Sequence, residues 1–216
     1  MVTSGMGMTS QRTRLRMVDR LRAQGIQDEV VLNAMAETPR HIFIDEALSS
    51  RAYDDVSLPI GFGQTISQPY IVARMTELVR AGRNVGKVLE IGTGCGYQVS
   101  VLARVAKEVF SVERIAALQN KARNHVREQK LNNIRFKMAD GHLGLPEAAP
   151  YDAIIMTAAA THVPQALLDQ LKMGGRLIFP MGVQEQHLYL IEKTEQGILQ
   201  TQLEPVRFVP LLPGIG

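Results

Sequence analysis

Apolar side chains recur along this chain at two different spacings, and the change of spacing divides it. Through residues 12–38, Leu15, Val18, Leu21, Val30, Val31, Ala34 and Met35 follow helical spacing, which predicts two short helices with a break near Gly25. The stretch SLPIGFGQTISQPY, punctuated by Pro59, Gly61 and Gly63, reads as a loop. Pro69 then opens a helix that runs to about residue 81. Beyond it, KVLEI, EVFSVE, IRFKMA, DAIIMT and RLIFPM are apolar runs of strand length separated by helix-like segments. That alternation predicts a doubly wound α/β sheet. The helix from Ile115 sets Leu118, Ala122 and Val126 on one face, and another is predicted from Pro164 to Gly174-Gly175, where glycine suits a helix end. The last two strands, HLYLIEKT and ILQTQLEPVRFVPL, have only Glu195-Gln196-Gly197 between them. This is too short for a crossover helix, so they should pair antiparallel.

Composition refines the picture modestly. With 216 residues, 45% hydrophobic and 21% charged, the chain is expected to be one domain over 1–216. Within it, residues 1–10, small and polar, read as disordered, with Met6 or Met8 as alternative starts; about 11–60 form a helical segment and about 61–216 the α/β core. No apolar run approaches the roughly 18 residues of a membrane helix, and the opening lacks a signal peptide's apolar stretch. A cytoplasmic location and no membrane partner are the expectations. The single cysteine, Cys95, has no internal partner for a disulfide. The net charge of +3 permits nucleic acid without demanding it. Arg12, Arg14, Arg16, Arg20 and Arg22 are interleaved with Leu15, Val18 and Leu21, which fits a solvated helix face, with RNA contact as the alternative. The five histidines form no H-x-H or H-x-x-x-H pair, so no metal is expected.

The chemistry concentrates in KVLEIGTGCGYQ. Gly92, Gly94 and Gly96 follow a buried strand and precede a helix, where absent side chains let a nucleotide-like ligand approach the backbone. A nicotinamide dinucleotide is the first alternative, but its fingerprint is G-x-G-x-x-G, and Tyr97 stands where that third glycine belongs. Glu90 would repel a pyrophosphate and attract an ammonium. S-adenosylmethionine has that ammonium and a sulfonium, and lacks phosphate. Glu113 ends the next strand near the offset of roughly 20 residues at which an acid reaches a ribose diol. Asp140-Gly141 after the third strand would read the adenine edge or form a plain turn. Thr93 and Arg114 complete the loop and strand-end positions of this set.

GQTISQPYIVA, VLEIGTGCGYQ, SVER, YDAIIMTAAA and PQALLDQLKMGGRLIFPMG together resemble a bacterial protein-L-isoaspartate O-methyltransferase, from about residue 9 to the C-terminus. Cys95 stands where that family more often has serine. The resemblance implies a seven-stranded class I methyltransferase sheet, Rossmann-like, with a reversed last strand and an N-terminal helical segment beside the site. It implies methyl transfer from S-adenosylmethionine to the α-carboxylate of L-isoaspartyl residues in damaged proteins, more weakly D-aspartyl ones, initiating repair. It also implies that Ser67 is the active-site residue, with Thr65 and Ile66 beside the cofactor and Val209, with Phe208, against the substrate peptide. Ser67 as a cap of the following helix is the local alternative. A monomer with no nucleic-acid partner is expected. The rival function is a nucleic-acid or small-molecule methyltransferase on the same fold. Amine enzymes of that kind often carry D/N-P-P-Y after the fourth strand, where this chain reads Thr157-Ala158-Ala159-Ala160.

Overall fold

The computed structural model describes residues 9–216. Positions 1–8, and with them Met6, Met8 and most of the stretch expected to be disordered, lie outside the described residues. Ser10, at the end of that stretch, is ordered as the N-cap of α1 (Gln11–Ala23), its hydroxyl accepting from the Thr13 N–H. Arg20 and Arg22 occupy the last turn, where cations complement the helix dipole. One face of α1 buries Arg14, Met17, Val18 and Leu21. Helix α2 (Glu29–Glu37) is capped by Asp28, which accepts from the N–H groups of Val30 and Val31.

Two short 3-10 turns, Arg40–Phe43 and Glu46–Arg51, lead into a β-hairpin of β1 (Leu58–Gly61) and β2 (Gln64–Ile66). Here the structure corrects the loop expectation: Phe62 and Gly63 both take positive φ, 56° and 67°, the geometry of a tight hairpin turn. Helix α3 (Pro69–Arg80) starts on proline and ends at Ala81 in the left-handed region.

The remaining elements build the main sheet. They are β3 (Val85–Ile91), α4 (Tyr97–Leu102), β4 (Ala106–Glu113), α5 (Ala116–Glu128), β5 (Ile134–Met138), β6 (Tyr151–Met156), α6 (Gln165–Asp169), β7 (Leu171–Gly182), β8 (Gln186–Thr194) and β9 (Gly197–Val206). Strand order is β5-β4-β3-β6-β7-β8-β9, a seven-stranded mixed sheet. Strands β3 to β7 are mutually parallel, and β8 is antiparallel to both β7 and β9. The reversal therefore falls on the penultimate strand. Short turns on both sides of β8 make two hairpins, and the second restores the original direction in β9. Helix α6 is also shorter than expected, because Gly174, at φ 74°, sits within β7, where pairing shifts from Tyr151↔Leu171 to Ala153↔Arg176. The glycine pair makes a bulge there instead of ending a helix.

Strands β3, β4, β6 and β7 are covered on both faces, which is why their sequences are continuous apolar runs. On one face Val88, Val109, Ile155 and Ile178 pack with Met75, Val79 and Val99 of α3 and α4. On the other, Leu89, Val112, Ile154 and Leu177 pack with Leu167 of α6. The N-terminal helices form an adjoining cluster with Tyr97 and Val101 of α4. The sheet grows from β3 through β4 to β5 on one side and, after the chain crosses back, from β6 to β7 on the other, so the crevice at the C-terminal ends of β3 and its neighbours is the place where such sheets bind ligands.

Candidate cofactor and acceptor site

At that crevice the glycine loop doubles back over β4, the N–H groups of Gly92 and Thr93 both donating to the Val112 carbonyl. Gly92 has φ 94°, and a Cβ there would collide with the Thr157 hydroxyl, which donates to the Gly92 and Ile91 carbonyls. Gly96 also needs to be glycine, at φ 92°, but for packing: an added Cβ would sit 3.0 Å from that of Ala122 on α5.

Glu113 gathers three backbone donors at the mouth of the loop. Its carboxylate accepts from Gly94 N at 2.8 Å, Arg114 N at 2.8 Å and Ile115 N at 2.9 Å. One side chain thus ties the glycine loop to the start of α5.

Thr65, Ile66, Ser67, Gly92, Thr93, Gly94, Tyr97, Glu113, Arg114, Gly141 and Val209, all singled out from sequence, line one cleft of about 840 Å³, open mouth included. Three others expected at the cofactor do not. Asp140 is occupied, accepting from the N–H groups of His142 and Gly214 and from His142 Nδ1, so its neighbours Ala139 and Gly141 form the wall. Gly96 lies behind the wall against α5. Glu90 is fully buried beneath the loop, where one oxygen accepts from the Ser111 hydroxyl and that hydroxyl meets Thr93 Oγ1 at 2.5 Å. Its other oxygen, Oε1, is buried without a partner among the described residues.

Burial first, and repulsion from Glu113, push the Glu90 carboxyl well above the usual carboxylate range, against the lowering by Ser111. The folded, ligand-free chain thus keeps a proton that the unfolded chain releases near about pH 4.3. Stability should fall as pH rises from there toward the raised value. Glu90→Gln should remove that slope, so that denaturant midpoints of parent and variant converge near about pH 4 and separate, variant higher, toward about pH 8. A gap that does not change with pH would mean that Glu90 is already ionised in the fold.

Sequence reasoning missed several wall residues: Ile115 and Leu118 at the start of α5, Thr157 after β6, and Leu211 and Leu212 from the C-terminal segment. Thr157 had a signal, its place at the end of a parallel strand. The leucines had none, because their return depends on backbone bonds from Ala159 N to Val209 O and from Leu211 N to Ala159 O. The Ser67 cap alternative fails: the N-cap of α3 is Gln68, without a side-chain bond, and the Ser67 hydroxyl has no protein partner among the described residues. Cys95 also lines the cleft, with burial pushing its thiol up to about 11, so it stays protonated.

A second cleft adjoins the first, formed by Ser57, Gln68 and Ile71 on one side and Pro205–Val209 on the other. Thr65, Ser67, Thr157 and Val209 line both clefts. The Val209 N–H has no protein partner among the described residues, while its carbonyl is taken by Ala159 N.

Residues 12–215 match the family model of protein-L-isoaspartate(D-aspartate) O-methyltransferase. The chain belongs to this family. It is 66% identical to a protein-L-isoaspartate O-methyltransferase of Methylobacillus flagellatus over 98% of this chain and 96% of that one. It is 61% identical to one of Chromobacterium violaceum over 97% and 95%. Among solved structures, a protein-L-isoaspartate O-methyltransferase superposes with a TM-score of 0.84 at 30% identity, covering 94% of this chain and 67% of that one. A beta-aspartate methyltransferase of Plasmodium falciparum, in complex with S-adenosyl-L-homocysteine, superposes at 0.77 with 26% identity, over 92% and 98%. As a protein-L-isoaspartate O-methyltransferase, the chain is an enzyme that transfers methyl groups from S-adenosylmethionine to isoaspartyl residues in the repair of damaged proteins. No helix among the described residues is long and apolar enough to cross a membrane. The basic helix α1 spends part of its charge internally, Arg14 being buried, Arg20 bonded to the Tyr53 carbonyl, and Arg22 paired with Asp19 and Glu29.

Proposed function

We propose that the first cleft holds S-adenosylmethionine, the second holds the isoaspartyl residue, and Ser67 aligns the acceptor where they meet. The observation that carries this is the sharing of Ser67, Thr65, Thr157 and Val209 between the two clefts. The residues present suit the cofactor. Glu90 Oε1, beneath the loop, is a buried acceptor without a donor among the described residues, and the positive charge of an ammonium seated over the loop would draw the carboxyl back toward its ionised form. Gly92 keeps the loop close against Thr157, and a side chain there would displace the Thr157 hydroxyl from the cleft wall. Glu113 stands at the strand end suited to a ribose diol. When bound, S-adenosylmethionine supplies a methyl group activated by the sulfonium.

The chain's own contribution is alignment. An α-carboxylate has a reference pKa of about 3.3–3.7 and is ionised at neutral pH, so no general base is required. Orientation of that oxygen, about 3–3.5 Å from the carbon it attacks, can supply a large part of the acceleration. Ser67, whose hydroxyl has no protein partner among the described residues, donates to one carboxylate oxygen and aims the other. The free Val209 N–H offers a second donor from the opposite wall. The segment that carries it is held rigidly by Gln186, which bonds Phe208 N at 2.7 Å and Phe208 O at 3.1 Å.

The decisive assay offers labelled S-adenosylmethionine with an isoaspartyl peptide, its normal aspartyl twin and mixed RNA. Base-labile label on the isoaspartyl peptide alone is the expected result. Label on RNA alone would overturn the reading.

A further inference from the structure

The second cleft is uncharged but for one residue. Its wall consists of serine, threonine, glutamine and apolar side chains together with Arg207, the single ionisable group that lines it. Arg207 is exposed, and among the described residues it makes neither a hydrogen bond nor an ion pair. The nearest acid in sequence, Glu204, is committed elsewhere, to Arg74 Nε at 3.1 Å. The backbone that carries Arg207 is anchored, because Gln186 clamps the next residue on both backbone groups. Arg207 also borders a continuing groove on the far side of the same segment. That groove contains one carboxylate, Glu185, which is not paired with Arg207, and His142, His162 and His187.

An isoaspartyl residue seated at Ser67 lies within a polypeptide whose neighbours must leave along this wall. We propose that Arg207 is a specificity-determining residue of the acceptor cleft, favouring isoaspartyl sites flanked by an acidic residue over those flanked by a basic one. This inference rests on the placement of the acceptor at Ser67. The α-carboxylate itself is bound where the two clefts meet; Arg207, farther along the wall, reads the neighbouring side chain. Because the contact is the same before and during methyl transfer, it should act on KM and leave kcat nearly constant. Arg207 is solvent-exposed, so the discrimination should be modest, about two- to fivefold per flanking charge.

The test uses three isoaspartyl peptides identical except for Glu, Gln or Lys beside the damaged residue. The parental enzyme should show KM rising in that order. Arg207→Gln should bring the three values together, and Arg207→Glu should reverse their order, each with unchanged kcat and unchanged affinity for S-adenosylmethionine. The parental preference should shrink between about 0.01 M and 1 M salt, as the screening length falls from about 30 Å to about 3 Å. Equal KM values for the three peptides in the parental enzyme would overturn the proposal. So would an equal loss on all three in Arg207→Gln, since that would assign Arg207 to the α-carboxylate common to them. A parental enzyme that methylates none of the three would defeat the underlying assignment of the acceptor, an outcome distinct from either.

Discussion

Glu113→Ala is expected to weaken S-adenosylmethionine binding at least about tenfold. The Glu113 carboxylate is almost fully buried, lines the cofactor cleft and accepts three backbone N–H groups from the glycine loop and the start of α5. Hydrogen bonds to a charged group contribute roughly 1.5–3 kcal/mol each, and tenfold in affinity corresponds to about 1.4 kcal/mol, so losing one contact to the ribose would suffice. Alanine would also leave the N–H groups of Gly94, Arg114 and Ile115 without their acceptor. The ligand-free variant should therefore unfold at lower denaturant concentration than the parent. Glu113→Gln separates the two effects, since the amide keeps the shape and one acceptor oxygen while losing the charge. It should hold most of the stability and still bind the cofactor less tightly. Calorimetry that found parental affinity in both variants, each still folded, would exclude Glu113 from cofactor binding.

The parallel core was legible because its strands are apolar on both faces and its helices on one, so length and punctuation were enough to place them. The same double burial hid the direction of Glu90. Where both faces of a strand are covered, alternation no longer says which side a residue occupies, and a carboxylate expected in the cleft lies beneath the loop against Ser111. The hairpin at Leu58–Ile66 was unreadable for another reason. Its strands are too short to show a period, and its turn puts a phenylalanine at positive φ, a place where asparagine or glycine is the usual signal. Gly174-Gly175 gave a true signal with two physical meanings, a helix end or a strand bulge. Tertiary pairing of β7 with β6 settled it. The site's outer wall, built by residues 209–212 against Ala159, depends on contacts remote in sequence, and no local pattern could announce it.

Ser67→Ala is expected to slow methyl transfer to an isoaspartyl peptide by about 10- to 150-fold while leaving S-adenosylmethionine bound. The range follows from one hydrogen bond to a carboxylate, roughly 1.5–3 kcal/mol, if it is fully formed in the transition state. The structure removes the main competing explanation for such a loss. A capping serine would cost about 1 kcal/mol of stability when replaced, but the N-cap position of α3 is Gln68, the Tyr70 N–H is taken by Asp55 Oδ1, and the Ser67 hydroxyl bonds no protein group among the described residues. The variant should consequently unfold at the parental denaturant midpoint. The two measurements belong together: single-turnover transfer under saturating cofactor, and an unfolding curve for the same protein. Because Ser67 lines both clefts and its proposed role is to align the acceptor for attack, the loss should appear in kcat as well as in kcat/KM. A variant that transferred methyl at the parental rate would show that the acceptor carboxylate is held by other donors, with the Val209 N–H first among them.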